Sequence, residues 1–339
     1  MLEVRQHSLA EDFLSAVFPH LKDEEASANI VLAHAWSLRT TSPGRLVRGD
    51  IQAHVGGLQE PSSFWITVWK HSNQKMEGAF LSLVLSCVCG ELGNYPVFLW
   101  MPRNRPFLLE GGMDAVIKAA ATQFISLATP RRVFSVFGER SVVKAFETVW
   151  TTLTGFRKVP DPYYHAVLGV CTAESIHILQ DDLPAYDTIR LANDDDKDVV
   201  ALMCKKFSET SHFPLTTERA MIESGLLISR KQLFVYESKG RIVSFCATTR
   251  ATENVAAVTK VFTLNKSRNQ GFAERLVRYA TNNALTDGGK TAVVLYVGVE
   301  NSARKIYDRI GFMGLYQKPN VVFEEALELG FIETEKGHW

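Results

Sequence analysis

Apolar and polar positions follow two periods along the first half of the chain, and each period predicts its own kind of element. Apolar residues three or four positions apart are typical of amphipathic helices, whereas short β-branched or aromatic runs are typical of strands. The first pattern predicts helices over residues 10–21, 23–38, 112–127 and 141–153. The second predicts strands over residues 63–69, 79–89, 97–101, 132–137 and 164–170. Because strands are followed by helices, this half is predicted to be mixed α/β.

A weakly patterned segment follows, and then the pattern starts again. Residues 172–185 contain Pro184 and little periodicity, which predicts a linker. Strands are predicted after it over residues 186–191, 233–237, 242–250, 255–264 and 292–297. Helices are predicted over residues 197–209, 271–286 and 303–310, the first of them preceded by a capping turn at Asn193. Two late runs, residues 312–317 and 320–323, predict a closing hairpin.

The two halves repeat one order of elements. Each contains strands, a long helix, a strand, a shorter helix, a Gly-Phe pair and a further strand, and the pairs are Gly155-Phe156 and Gly311-Phe312. This order favours a duplicated α/β fold with a mixed sheet. The predicted division is a first domain over residues 1–171, a linker over 172–185 and a second domain over 186–339.

The amino-acid composition argues against several classes of protein. The chain has 339 residues, of which 46% are hydrophobic and 22% charged, as in a globular protein rather than a disordered or coiled-coil one. Its 37 basic and 37 acidic residues give no net charge, which argues against a nucleic-acid partner. The amino terminus lacks a signal pattern and the most apolar stretch, residues 78–88, is too short to span a bilayer. We therefore expect a cytoplasmic protein with no membrane partner.

The cysteines predict neither disulfides nor a metal site. The chain has 5 of them, at spacings that resemble no disulfide framework or zinc site. All lie among apolar neighbours, so we expect buried, reduced thiols. Histidines form no ligand pair, and no metal is expected. The positions are Cys87, Cys89, Cys171, Cys204 and Cys246.

One stretch carries chemistry, namely a predicted strand, a short loop and the start of a long helix. The loop contains Arg268, Gly271 and Ala273. A helix start offers unpaired backbone N–H groups and the positive end of the helix dipole, and small residues let an anion approach them. Residues 258–318 carry ten basic side chains against four acidic ones, an excess of six positive charges. The stretch therefore predicts a pyrophosphate-binding turn.

The loop Arg268-Asn-Gln-Gly271-Phe-Ala273 resembles that of the GNAT superfamily of acyl-CoA N-acyltransferases, which reads Gln/Arg-x-x-Gly-x-Gly/Ala between a strand and a helix. The downstream order Asn301, Ala303, Tyr307 and Gly311-Phe312 resembles the next block of that family. The resemblance covers residues 186–323 and implies two GNAT-like domains in tandem. No such loop lies between residues 98 and 112, so the first domain is identified as a degenerate copy.

The resemblance also implies roles for single residues. The strand would offer backbone groups to the acyl carbonyl and the pantetheine arm through Val261, Phe262 and Thr263. The loop would give amides to the pyrophosphate, with Arg268 beside them, through Gln270, Gly271, Phe272 and Ala273. Asn301 would meet the CoA arm and Tyr307 would protonate the leaving thiolate. The family usually places that tyrosine seven residues after the asparagine, and here it comes six residues after it, which puts the role of Asn301 in doubt.

The function that this resemblance implies is transfer of an acyl group, acetyl above all, from acetyl-CoA as co-substrate to a small-molecule primary amine. The amine would attack the thioester directly in a ternary complex after losing a proton to a base. The sequence does not identify that base. Glu209, at the end of the first helix of the second domain, is the candidate because that helix end borders the acceptor site in the family.

Other interpretations stay open at this point. The chain fits a non-catalytic CoA-binding or interaction protein with the same fold, because no base is evident. The acceptor would also fit a protein amino terminus or lysine. Tyr307 also fits a half-buried packing residue of a short helix, and Glu209 also fits a solvated residue at a helix end. The sequence does not determine the acyl length, the acceptor or the oligomeric state.

Overall fold

The computed structural model describes residues 1–39, 63–71, 78–103, 112–178 and 183–338. They form two compact units, one of Met1–His165 with Ala326–Trp339 and the other of Ala166–Glu325. Up to the end of the first half the elements are β1 (Leu2–His7), α1 (Ala10–Leu21), α2 (Glu25–Arg39), β2 (Phe64–His71), β3 (Ala79–Cys87), β4 (Cys89–Gly90), β5 (Gly93–Asn94), β6 (Val97–Trp100), α3 (Gly112–Leu127), β7 (Ser135–Glu139) and α4 (Arg140–Thr154). The remaining elements are β8 (Tyr164–Thr172), β9 (Asp187–Leu191), α5 (Lys197–Ser208), α6 (Thr217–Ser229), β10 (Leu233–Ser238), β11 (Arg241–Thr249), β12 (Val255–Thr263), α7 (Phe272–Leu285), β13 (Ala292–Gly298), α8 (Arg304–Ile310) and β14 (Glu325–Gly330).

Each unit contains six strands of one sheet topology, and the topology is the same in both units. The first has the strand order β1-β2-β3-β6-β7-β14, and the second has β9-β10-β11-β12-β13-β8. In each, every neighbouring pair is antiparallel except the fourth and fifth strands, which are parallel. Two helices lie between the first two strands in sequence, and one lies between the parallel strands. The chain is thus a tandem of two copies of one mixed α/β fold, as predicted.

The last strand of each sheet comes from the other half of the sequence. β8 follows the first copy along the chain, but its residues pair with β13 from Ala166 opposite Gly298 to Thr172 opposite Ala292. β14 ends the second copy and pairs with β7 of the first unit. The two compact units therefore differ from the division drawn at residues 171 and 186, because strand pairing is not a local property of the sequence. Of the segment predicted as a linker, residues 179–182 lie outside the described residues.

The second unit covers its sheet with apolar residues on two faces. One cluster joins α7 to β10, β12 and β13 and includes Tyr236, Val258 and Leu276. The other joins α5 and α6 to β10 and β11 and includes Phe245 and Leu227, with Phe262 of β12 packed against it. Side chains of β12 therefore reach different helices on its two sides.

Most predicted elements are confirmed, and the exceptions have identifiable causes. α1 and α3 have the predicted bounds. The predicted closing hairpin over residues 312–317 and 320–323 is wrong, because Gly314 and Asn320 adopt positive φ angles of 82° and 60° and the run turns instead. The strand that closes the fold is β14. β1 and α6 were not predicted.

Two general features of the described residues concern ligands and membranes. Four cysteines are buried, Cys89 is half-buried, and all five are free thiols. Within these ranges no group of three or more His, Cys, Asp or Glu side chains is arranged to hold a metal ion. No helix in the described part of the chain is both long enough and apolar enough to cross a bilayer.

Candidate functional site

The parallel strands of the second unit part soon after they pair. β12 and β13 pair only where residues 255–257 lie opposite residues 292–294. On its other side β12 stays paired with β11 as far as Thr263, with a register shift that leaves Thr259 as an extra residue. Such a bulge bends the strand that carries it. A gap therefore opens beside the second half of β12.

The peptide groups along this gap are free of strand pairing. The amide of Leu264 donates to the Val243 carbonyl of β11 at 2.9 Å. Since peptide groups alternate sides along an antiparallel strand, those of Val261 and Thr263 point away from β11, toward the gap. The Thr263 carbonyl accepts a hydrogen bond from Arg268 Nε at 3.2 Å. The Val261 N–H and C=O remain as partners for an extended ligand, as when a peptide adds to a sheet edge.

A tight turn leads from β12 into α7. Gly271 caps the helix with φ 81° and provides no side-chain bond to the first turn. Asn269 also has a positive φ, 62°. The amides of Phe272, Ala273 and Glu274 occupy the first helical turn, where helix geometry gives them no partner within the helix. Such amides and the positive end of the helix dipole favour an anion, and the pyrophosphate contact predicted from the loop sequence stays a prediction.

Packing beneath the turn holds it in place. Phe272 is buried and its ring lies 4.8 Å from that of Tyr236. The Tyr236 hydroxyl donates to Asp187 at 2.8 Å. Burial, and then the Asp187 carboxylate, raises the pKa of Tyr236 to about 12, so the phenol stays a neutral donor. The buried side chain of Phe272 thus fixes the turn to the core, while its backbone amide lies in the first turn of α7.

Two cations flank the turn. Arg268 is exposed and its guanidinium lies 5.9 Å from the ring centroid of Phe262. Arg275 Nη1 donates to the Gln270 carbonyl at 3.3 Å. Both arginines donate to backbone carbonyls rather than to a carboxylate in these hydrogen bonds, so both can bind a phosphate with little rearrangement.

Most other cations of this region have structural partners, which the sequence count did not reveal. Arg278 is buried against Glu274 at 3.0 Å, and Arg309 contacts the same carboxylate. Arg309, and more weakly Arg278, hold the pKa of Glu274 below its usual range. Arg304 donates to the Val299 carbonyl at 2.6 Å. The excess of six positive charges therefore overstates the charge available to a ligand.

α8 follows the strand on the far side of the gap and carries Tyr307. This residue is half-buried, and its ring meets Phe312 edge-on at 6.0 Å. Asn301 is exposed, and its Oδ1 accepts the Ala303 amide at 2.9 Å, so it caps the turn before the helix. Its role toward the CoA arm and the role of Tyr307 as an acid stay predictions.

Two carboxylates of α5 and α6 and their connection, Glu209 and Glu223, differ sharply in exposure. Glu209 is exposed and follows the last turn of α5, with its amide bonded to the Lys205 carbonyl at 3.2 Å. Glu223 of α6 is only 6% exposed, and its Oε1 lies 3.1 Å from Lys260 Nζ of β12. The sequence analysis missed Glu223. The available signal was its position three after Ala220 and four before Leu227, on the apolar face of a helix that was itself not recognised.

The first unit repeats the short parallel pairing and the positive φ of a glycine at the start of the following helix. β6 and β7 pair only at Val97 and Phe98 opposite Val136 and Phe137. Gly112 starts α3 with φ 72°, and Asp114 lies in the first turn of this helix, as Glu274 lies in the first turn of α7. Residues 104–111, where a loop would precede this helix, lie outside the described residues.

A family model matches part of the chain, and solved structures resemble its fold. Residues 197–324 match the family model of the acetyltransferase (GNAT) domain. A GCN5-related N-acetyltransferase from Sphaerobacter thermophilus shares 15% identity at a TM-score of 0.51, with 97% of this chain and 94% of that chain covered. A protein from Drosophila shares 14% identity at a TM-score of 0.53, with 79% of each chain covered. A tandem GNAT protein from the clavulanic acid biosynthesis pathway shares 10% identity at a TM-score of 0.47, with 99% and 100% covered. No curated protein matches the chain.

Proposed function

We propose that the second unit transfers an acyl group from acyl-CoA to a primary amine of a small molecule, since residues 197–324 match the family model of the acetyltransferase (GNAT) domain. Acetyl-CoA is the proposed donor and acts as a co-substrate. The observation that carries the proposal is the continuous path from the unpaired edge of β12, through the turn at Gly271, to the start of α7.

The path fits the chemistry of CoA in two places. The pantetheine arm carries amide groups, which can pair with the Val261 peptide as a further strand would. The pyrophosphate is a compact dianion, which suits the amides of Gly271, Phe272 and Ala273 together with Arg268. Gln270 would contribute its amide in the same way. With these contacts the thioester would lie beside the gap between β12 and β13.

Transfer would proceed by direct attack. The acceptor ammonium loses a proton to solvent, and the nitrogen lone pair then attacks the thioester carbon. As the C–N bond forms, the C–S bond breaks and the sulfur leaves with the electron pair of that bond. The Tyr307 hydroxyl donates its proton to this leaving thiolate. The second nitrogen proton passes to the tyrosinate. The net reaction yields amide, free CoA and one proton from ammonium and thioester.

The cysteine nearest the gap supports direct attack rather than an acyl-enzyme. Cys246 lies opposite Val261 in the β11–β12 ladder and is buried. Burial raises its pKa to about 12, so the thiolate that a covalent route needs is scarcely present at neutral pH.

The test is release of free CoA from acetyl-CoA in the presence of a panel of primary amines. Acetylation of an amine, confirmed by mass, is the expected result. Tight binding of acetyl-CoA without transfer to any amine would instead indicate a protein that only binds CoA.

A further inference from the structure

The carboxylate of Glu223 has one oxygen paired and one oxygen unpaired, although it is buried. Oε1 lies 3.1 Å from Lys260 Nζ. Oε2 is buried and has no hydrogen-bond partner among the described residues. An unpaired carboxylate oxygen away from water is costly, and a buried ion pair with such an oxygen contributes little to stability. The arrangement therefore suits a group that meets a ligand.

The pair lies on the face of β12 that packs against α5 and α6, opposite the face that packs against α7. Val258 and Val261 pack into the cluster formed with α7, whereas Phe262 packs against the cluster formed with α5 and α6. Lys260 shares the side of Phe262 and contacts α6 through Glu223. Its Nζ also lies 5.7 Å from the ring centroid of Phe207 in α5. It also directly precedes Val261, whose peptide faces the gap. An acceptor on the α5–α6 side would meet Glu223 as it approaches the thioester.

The charged and polar groups around the Glu223 carboxylate favour a cation as its ligand. The Cys204 thiol lies beside it, and burial, followed by the Glu223 charge, raises the pKa of Cys204 to about 12. This thiol stays neutral. Two threonine hydroxyls near the bulge, those of Thr249 and Thr259, bond to each other at 3.0 Å. Lys260 is the one cation that an ion pair joins to Glu223 in the described part of the chain.

We propose that Glu223 binds the amine of the acceptor through Oε2, while Lys260 fixes Oε1. This rests on the proposed function and names its acceptor class, a primary amine that arrives as an ammonium ion. A carboxylate oxygen accepts an N–H bond from the ammonium and equally from the amine left after a proton departs to solvent. That bond directs the remaining lone pair toward the thioester. Glu223 is therefore the specificity residue for the acceptor, in place of the exposed Glu209.

The test compares two substitutions that break the same ion pair. Glu223→Gln keeps the shape but removes the charge, and we expect it to raise the KM for the best amine of the panel about tenfold or more. The KM for acetyl-CoA should not change. Lys260→Met leaves the carboxylate without its neutralising partner, so it should lower the KM for the amine. Glu218→Gln, an exposed change on the same helix, is the matched control and should leave both constants unaltered.

A purely structural ion pair gives a different pattern. Glu223→Gln and Lys260→Met would then lower the melting temperature alike and change the amine KM in the same direction, which would overturn the proposal. An unaltered amine KM in Glu223→Gln would overturn it as well. If wild-type protein binds acetyl-CoA but acetylates no amine, the proposed function itself fails. The two failures are thus distinguishable.

Discussion

Arg268 closes the turn between β12 and α7 by donating from Nε to the carbonyl oxygen of Thr263 at 3.2 Å. The bond satisfies one peptide oxygen at the gap and leaves the other guanidinium nitrogens pointing into solvent beside the helix start. The same side chain can therefore shape the turn and meet the pyrophosphate of a bound CoA.

Replacing this arginine should weaken donor binding while the fold survives. We expect Arg268→Ala to lower acetyl-CoA affinity about tenfold, the order expected for one charge-assisted hydrogen bond. The side chain is exposed, so the melting temperature should stay close to that of wild type. Isothermal titration and a melting curve measure the two quantities. Unchanged affinity would mean that Arg268 serves the turn alone.

Tyr307 should matter for turnover more than for binding. Tyr307→Phe keeps the ring that packs on Phe312 and removes the hydroxyl. A thiol has a pKa of about 8.5 and leaves without much help, so the loss of a general acid should lower kcat by roughly ten- to a hundredfold. Steady-state kinetics with the acetylated amine, beside a melting curve and an acetyl-CoA titration, measure this. Unaltered kcat would leave Tyr307 as a packing residue.

The duplicated fold offers a matched pair of glycines for a stability test. Gly155 ends α4 with φ 76° and Gly311 ends α8 with φ 115°. A Cβ at Gly311 would lie 1.9 Å from the Ser175 carbonyl oxygen, whereas a Cβ at Gly155 would meet nothing within 4 Å. Gly155→Ala should cost only the strain of a left-handed residue, about 1–2 kcal/mol. Gly311→Ala should destabilise the protein further.

Denaturant unfolding of the two variants measures this difference in the free energy of unfolding. An equal decrease in the free energy of unfolding for both variants would contradict the close approach of Ser175 to the end of α8. Both glycines were singled out from the sequence as a repeated Gly-Phe pair, and the structure assigns them the same cap in the two copies.

The buried Glu328 of β14 should make stability fall as the pH rises. It is bonded to Ser135 Oγ at 2.7 Å, and burial raises its pKa from 4.5 to about 8. Below the lower value the carboxyl is neutral in both states. Between the two values the unfolded chain releases a proton that the folded chain keeps, so unfolding becomes steadily easier with rising pH. Glu328→Gln removes this dependence.

We therefore expect the melting temperature of wild type to fall relative to that of Glu328→Gln as the pH increases through this window. The difference between the two melting curves, measured in a pH series, isolates the one carboxyl from all the others. Parallel curves would show that Glu328 ionises without cost in the folded protein.

Local signals in the sequence were enough to predict the turn at residues 268–273, because a helix start, a glycine and small neighbours are adjacent in the chain. α1, α3 and the Gly-ended helices α4 and α8 were predictable for the same reason. The pairing of β8 and β14 was not, since each joins a sheet whose other strands lie far away in sequence. The bulge at Thr259, which opens the gap, also leaves no mark on the side-chain pattern.

Helix α6 and its buried Glu223 could not be predicted from the sequence for another physical reason. Glu223 and Ser224 are polar residues at buried positions of α6, so the helix lacks a clean apolar stripe and was not recognised. The sequence pattern consequently favoured Glu209 as the candidate base, and the structure places Glu209 in solvent. Burial of a polar residue becomes visible only when the packing is known.

The central claim is that the chain binds one acetyl-CoA, at the turn that starts α7. Gly271 and Gly112 occupy equivalent helix starts in the two copies, with φ angles of 81° and 72°. A glutamate at either position suffers similar backbone strain, but only at 271 would its charge face the pyrophosphate. Isothermal titration of acetyl-CoA into wild type, Gly271→Glu and Gly112→Glu is the most direct test. We predict a stoichiometry of one per chain, lost in Gly271→Glu and retained in Gly112→Glu. A stoichiometry of two, or binding that survives Gly271→Glu, would contradict the account.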